Sequence, residues 1–431
     1  MYNNERYYDS DKPQCMRHSR QREVTTAKAG PTTREPGLGL GIALGFLSAL
    51  GPFAIDLYLP AMPDMTASIG AAEANVQRTL SAFFLGLAIA QIPIGSLSDR
   101  FGRKAPLLGG LCLFVAASIA CMLATDLNQL VAFRFLQGMG ACAGTSSARA
   151  IIRDLHRGHK AARLMAFTFL IIGISPMVAP LLGTGLLQLF SWRGLFGVLA
   201  GAGALAAILV LSFLPETLPP TNRTKDWSNL PRHHARLLQS PRFVGWALVA
   251  GLATTIPFAF ITAAPFIYSG LYALTPATFS LLLAANAAAS VLATQFAPNL
   301  LQRVGAPRLA GSAAFVALAA TTSLALLGTS GVSLALFQAF SMFLFMIAGL
   351  LLTPAATSAL DSVRSGIGAA AGLLGTIQLA VTALASAAVT LWPPTSLRPL
   401  TSVLGTAFAA MVVIVVVLGR LPLPAEDTRA N

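Results

Sequence analysis

Twelve apolar stretches, each long enough to cross a bilayer, leave this chain very few ways to fold. They lie near 38–60, 76–97, 105–124, 128–150, 163–189, 192–214, 243–267, 277–301, 307–328, 331–353, 366–391 and 399–420. A helix of about 20 residues spans the roughly 30 Å of hydrocarbon. Barrel strands need only about ten residues and alternate with period two, which these stretches do not. The expected fold class is therefore all-α and integral to the membrane: twelve transmembrane helices in two six-helix bundles. Composition agrees. The 431 residues are 55% hydrophobic and 10% charged, whereas a soluble domain carries about 25% charged residues. That excludes a soluble enzyme, a disordered chain and a disulfide scaffold.

The net charge of +13 reads as topology rather than nucleic-acid binding. Short loops on the cytoplasmic side collect Lys and Arg. With the N-terminus inside, the inner segments hold Arg6, Lys12, Arg17, Arg20, Arg22, Lys28 and Arg34, then Arg100, Arg103 and Lys104. Arg153, Arg157, Lys160 and Arg163 follow the fourth segment, and Arg223, Lys225, Arg232, Arg236 and Arg242 fill the centre. The outer loops offer Arg193 and Arg398, with Arg78 opening the second segment. Both termini are thus expected inside. The chain divides into a disordered tail (1–37), a first bundle (38–214), a cytoplasmic linker (215–242), a second bundle (243–421) and a short tail (422–431). The halves echo one another: a basic turn with a central glycine follows the second segment at 99–104 and the eighth at 302–308. Paired repeats with a site at their interface are one plan for a transporter.

Several chemistries find no residues. Cys15, Cys112, Cys121 and Cys142 show no metal spacing, and the last three sit in apolar runs, where Cys behaves as a small hydrophobe. The histidines all lie in polar, basic segments. No GxxxxGK[ST] phosphate loop occurs. No metal, no cofactor and no enzymatic activity are expected. The expected partners are an amphipathic small molecule, protons and the lipid bilayer, for a chain acting as a monomer.

An ionisable group inside a bilayer is costly and marks function by default. Asp56 lies in Gly51-Pro52-Phe53-Ala54-Ile55-Asp56-Leu57-Tyr58-Leu59-Pro60. Pro60 lacks an N–H, so the Asp56 carbonyl loses its helical partner. Burial favours the protonated carboxyl, as a proton carrier requires. Arg134, in the fourth segment, is expected at a similar depth, where the two groups could sense each other. Arg134, Gln137, Gly138, Ala141, Thr145 and Arg149 share one helix face. That stripe, with Tyr58, suits a cavity wall. Gly140 and Gly144 form a GxxxG packing face.

The turn Gly95-Ser96-Leu97-Ser98-Asp99-Arg100-Phe101-Gly102-Arg103-Lys104 holds an acid that topology does not explain. Asp99 could bind a helix end of the other half or a basic residue, and Asp154 could bind Arg100 or Arg103. Such contacts would latch one face shut. On the fifth segment Gly173, Pro176, Pro180 and Gly183 fall on one face and read as a bend or gate. The second half has no mid-membrane acid; its cavity candidates are Phe258, Asn286 and Gln378, with neighbouring aromatics. Apolar walls with few polar groups suit amphipathic organic molecules.

Together these residues resemble the major facilitator superfamily, in its twelve-helix drug:proton antiporter branch. Residues 95–104 match that family's G-x-L-x-D-R-x-G-R-[RK] signature. The runs 54–60, 134–138, Arg149-Ala150-Ile151-Ile152-Arg153-Asp154 and Leu214-Pro215-Glu216-Thr217-Leu218 resemble the bicyclomycin and chloramphenicol resistance (Bcr/CflA) subfamily. The resemblance implies proton-driven export of drug-like molecules across a bacterial inner membrane, with Asp56 and Arg134 coupling protons to substrate. It implies for Asp99 an inter-domain contact in the outward-open state. Ala179-Pro180 and Gly183-Thr184 depart from the branch's Gly-Pro and glycine pair on the fifth helix, which bears on the tightness of that contact. The alternative is a proton-coupled metabolite transporter on the same fold, because fold does not decide substrate.

Overall fold

The computed structural model describes residues 38–156, 159–223, 229–328, 331–363, 367–392 and 396–421. The tail 1–37 with Cys15, and residues 422–431, lie outside them. The described residues are helical, with no β-strand among them. The first half comprises α1 (Leu38–Asp56), the short α2 (Met62–Ile69), α3 (Glu73–Phe101), α4 (Lys104–Leu123), α5 (Leu127–Leu155), α6 (His159–Leu187) and α7 (Trp192–Phe213). The linker holds α8 (Asn229–Leu238). The second half comprises α9 (Pro241–Phe266), α10 (Pro276–Val304), α11 (Ala306–Leu327), α12 (Leu334–Asp361), α13 (Ile367–Val389) and α14 (Arg398–Arg420).

Each expected segment except the first is one long helix. Several run past their apolar stretch because polar ends continue the helix into the aqueous boundary; α12 reaches Asp361. Among the described residues, eleven spans are long and apolar enough to cross a membrane. The remaining long helix, α5, carries the polar stripe and packs against α1, α3 and α4. Local chemistry sets the ends. Asp126 caps α5 by accepting from the N–H groups of Asn128 and Gln129 at 2.9 and 3.0 Å. Gly102 and Gly305 close α3 and α10 with φ of +94° and +79°, so the echoed turns use glycine for the same backbone reason.

Small residues let the first-half helices touch backbone to backbone. A Cβ on Gly138 of α5 would strike the Phe83 carbonyl of α3, and one on Gly86 of α3 would strike the Phe135 carbonyl. Gly140 lies against α4 and Gly144 against the Leu47 carbonyl of α1, as the GxxxG face requires. Gly138→Ala is expected to lower the thermal midpoint in detergent by several degrees, since overpacking costs about 1–3 kcal/mol. Gly201→Ala, where nothing lies within 4 Å, is expected to leave the midpoint unmoved; equal shifts would remove close approach as the reason for Gly138.

The halves meet along two seams, α3 with α13 and α6 with α10. Both seams are closed at the end opposite the linker. There Ser81 Oγ lies 2.9 Å from Ser386 Oγ, which is also 2.9 Å from Thr262 Oγ1. On the other seam Thr184 Oγ1 lies 2.8 Å from Ser280 Oγ, and Ser280 Oγ donates to the Pro180 carbonyl at 3.1 Å. Farther along these helices, toward the linker, a Cβ added at Gly95, Gly368 or Gly372 would meet no heavy atom within 4 Å, so open space lies beside both α3 and α13 there.

Candidate functional site

The first transmembrane segment is not one helix. α1 stops at Asp56, a turn at Leu57–Tyr58 and a 3₁₀ turn at Leu59–Ala61 follow, and α2 completes the crossing to Ile69. The expected end near residue 60 is thus corrected. Pro60 prevents a regular helix, and Asp56 sits in mid-crossing rather than near an end. Its carboxyl is 2% exposed, and Oδ1 has no hydrogen-bond partner.

Arg134 occupies the break. Its Nη1 donates to the Ala54 carbonyl at 3.0 Å and to Gln137 Oε1 at 2.6 Å. Gln137 Nε2 in turn donates to Ser118 Oγ at 2.7 Å. The guanidinium carbon lies 4.4 Å from the ring centroids of both Tyr58 and Phe83, and 5.8 Å from that of Phe196. Tyr58 Oη lies 3.1 Å from Thr79 Oγ1. Asp56 and Arg134 were expected to sense each other, yet they form no ion pair. The cation is held by aromatic faces and by a backbone carbonyl freed at the helix break. Arg134 Nε and Nη2 and Asp56 Oδ1 are left without partners, so an acid and a base stand in one desolvated core without neutralising each other.

The expected cavity residues divide by burial. Tyr58, Gln137 and Asn286 are wholly buried. Thr145, Phe258 and Gln378 are half-buried and Arg149 is exposed. Phe258 meets Phe84 of the first half edge-on at 4.8 Å. Asn286 belongs to a polar cluster that sequence reasoning missed. Its Oδ1 accepts from Gln338 Nε2 at 2.9 Å and Ser341 Oγ at 3.0 Å, and Tyr268 Oη donates to Gln338 Oε1 at 2.6 Å. On the expected gate face, Gly183 abuts the Leu57 carbonyl, Gly173 faces Val291 of α10, and the Pro180 carbonyl takes the Ser280 hydroxyl; Pro176 is half-buried between them. Thr184, one of the two departures beside Gly183, supplies the hydroxyl that crosses the seam.

At the linker end the charged turn closes on its own half. Arg103 Nε donates to Asp154 Oδ2 at 2.6 Å, and Nη1 pairs with Asp99 Oδ1 at 2.5 Å. In this conformation the Asp99 contact lies within the turn rather than between halves, with open space beside α3 one turn away at Gly95. Asp154 takes Arg103, not Arg100. Glu216, to which sequence reasoning gave no role, accepts from the N–H groups of Arg103 at 2.8 Å, Lys104 at 3.2 Å and Leu218 at 3.0 Å. A Cβ on Gly102 would strike its carboxylate. Gly95 and Arg100 line the same turn. Partial burial pushes the Glu216 carboxyl up, but these three N–H groups and the nearby Arg223 outweigh it and hold it below the usual carboxylate range. A depressed folded value means its contribution is full above the ordinary carboxyl range and fades as pH falls below it. Glu216→Gln is expected to speed proteolysis of the 215–242 linker several-fold at neutral pH. Wild-type protein is expected to show the same acceleration only in acid, below about pH 4; equal cleavage of both at neutral pH would take Glu216 out of the latch.

Comparison with known proteins gives a consistent picture. The family description "Major Facilitator Superfamily" matches residues 44–386. The YdgK transporter of Bacillus subtilis, described as MFS-type, is 33% identical over 364 residues, covering 83% of this chain and 89% of YdgK. A Haemophilus influenzae protein described as a bicyclomycin resistance protein homolog is 30% identical over 269 residues, covering 62% of this chain and 67% of its own. The crystal structure of a bacterial homolog of the lysosomal transporter Spinster superposes with a TM-score of 0.65 at 17% identity, covering 90% of this chain and 95% of that one. At that identity the likeness concerns the fold alone.

Proposed function

The chain belongs to the Major Facilitator Superfamily, a family of transporters rather than enzymes, and from that premise we propose that it is a proton-coupled exporter of drug-like amphipathic molecules. We place it in the Bcr/CflA branch, in a bacterial inner membrane, with both termini in the cytoplasm. The observation that carries the reading is Asp56: a buried carboxyl with one unpartnered oxygen, at a helix break, beside a buried cation that does not neutralise it. The relative described as a bicyclomycin resistance protein homolog supports the substrate class.

A rocking cycle fits this geometry. The short basic loops lie at the linker end, and the positive-inside rule turns that end to the cytoplasm. The conformation is then open inward and closed outward by the hydroxyl contacts of both seams. Substrate enters from the cytoplasm and displaces a proton held at Asp56. The halves rock about the centre, the hydroxyl contacts part, and the charged turn around Asp99, Arg103 and Asp154 closes the inner face. Asp56 takes a proton from outside as substrate leaves. Tyr58, Gln137 and Arg134 anchor the break; Thr145, Arg149, Phe258 and Gln378 are the surfaces that substrate meets; Gly173, Pro176, Pro180 and Gly183 bend at the gate. In everted vesicles, a substrate found by a resistance panel in a pump-deficient host is expected to release protons. Substrate transport that ignores an uncoupler would refute proton drive.

A further inference from the structure

Near the seam between the halves, α5 carries two arginines that form no ion pair among the described residues. Gln91 of α3 reaches Gly375 of α13, where an added Cβ would lie 3.0 Å from Gln91 Nε2. One turn farther along α3, a Cβ added at Gly95 would meet open space. Gln91 Oε1 also accepts from α5, from Cys142 Sγ at 3.0 Å and Ser146 Oγ at 3.4 Å. By the 3.6-residue period, the face holding Cys142 and Ser146 next presents Arg149 and Arg153. Both are exposed, while Ala150, Ile151 and Ile152 between them are buried. α5 is not among the described helices apolar enough to cross lipid by composition, and an exposed arginine on such a helix belongs on an aqueous face.

Arg149 Nε donates to the Thr145 carbonyl of its own helix at 3.2 Å. Neither Arg149 nor Arg153 forms an ion pair, whereas the adjacent Asp154 is committed to Arg103. Like charges four residues apart on a helix repel, and charge of one sign beside low-dielectric walls concentrates counter-ions. On the facing half's long helices the one carboxylate among the described residues is Asp361, at the linker end of α12, and it forms no ion pair with either arginine. The charged residues on these helices are Arg242, Arg303, Arg308, Asp361, Arg398 and Arg420, all within one turn of a helix end.

We infer that Arg149 and Arg153 form an anion-binding wall of a vestibule between the halves, and that the cargo is an amphipathic molecule bearing one sulfonate or carboxylate group rather than an organic cation. The inference rests on the export reading and names its substrate class. Guanidinium groups suit it, because their planar forks bind such oxyanions in bidentate fashion. A substrate anion would relieve the repulsion between the two arginines on entry from the cytoplasm.

Equilibrium binding to the purified full chain in detergent tests this, with radiolabelled naphthalene-1-sulfonate and tetraphenylphosphonium as probes. Wild-type protein is expected to bind the sulfonate and not the phosphonium, with affinity falling as salt rises. Arg149→Gln with Arg153→Gln is expected to weaken sulfonate binding at least tenfold. Arg149→Lys with Arg153→Lys, which keeps the charge and guards against misfolding, is expected to retain most of it. Unchanged sulfonate binding in the double glutamine variant returns both arginines to a topological role and overturns the inference, as does preferential binding of phosphonium by wild type. Binding in detergent needs no proton gradient, so this failure is separate from loss of proton coupling in vesicles.

Discussion

Asp56→Asn is expected to abolish substrate-driven proton release in everted vesicles, a fall of more than tenfold to background, while leaving the protein folded. The substitution is close to isosteric and removes only the ability to titrate. The amide and the protonated carboxyl it replaces are both neutral, with similar burial cost, so the thermal midpoint should stay put. Drug resistance conferred by the protein in a pump-deficient host should vanish with the proton signal. Undiminished drug-driven proton flux from the Asn variant would remove Asp56 from the mechanism and with it the main support for proton coupling.

Arg134→Lys is expected to be nearly as damaging, although it keeps the charge. One Nη atom of Arg134 serves both the Ala54 carbonyl and Gln137 while the guanidinium plane lies between the Tyr58 and Phe83 rings. An ammonium is a compact point charge and cannot fill that flat slot. Each buried polar group left without its partner costs about 1–3 kcal/mol. Transport should fall at least tenfold and the thermal midpoint by several degrees. If lysine sustains full transport, a positive charge is all the site requires, and the aromatic cage is incidental.

The helix count and the division into halves were legible because apolar length alone dictates them. Asp56 and Arg134 stood out in the sequence because charge in hydrocarbon is costly, and both are buried. Their mutual relation was not. Whether Arg134 would meet the carboxylate or the aromatic rings depends on where the first segment breaks, and Pro60 says only that it must break. Phe83 and Phe196 were invisible as cage residues, since an aromatic in an apolar helix has many ordinary uses. One signal was available and overlooked. Pro52-Phe53-Ala54-Ile55 with Pro60 recurs as Pro257-Phe258-Ala259-Phe260 with Pro265, at matching places in the halves. In that alignment Ile261 stands where the first half has Asp56, and α9 continues as helix through Phe266. The repeat shows that the first half alone carries an acid at this place, and it sets Phe258 opposite Phe53 in the two halves. Gln338 and Ser341 carry no such mark; only packing brings them to Asn286.

Among the described residues, the hydrogen bonds that join the halves at the far face use only alcohols and carbonyl oxygens, whereas the charged turn at the near face is cross-linked by ionised groups. Dissolved ions screen the latter and leave the former untouched. The machine should therefore be indifferent to salinity and acidity in the outer compartment as regards keeping shut, and responsive to both in the inner one. A cell surrounded by water of changing composition would gain a door whose seal does not depend on the weather outside.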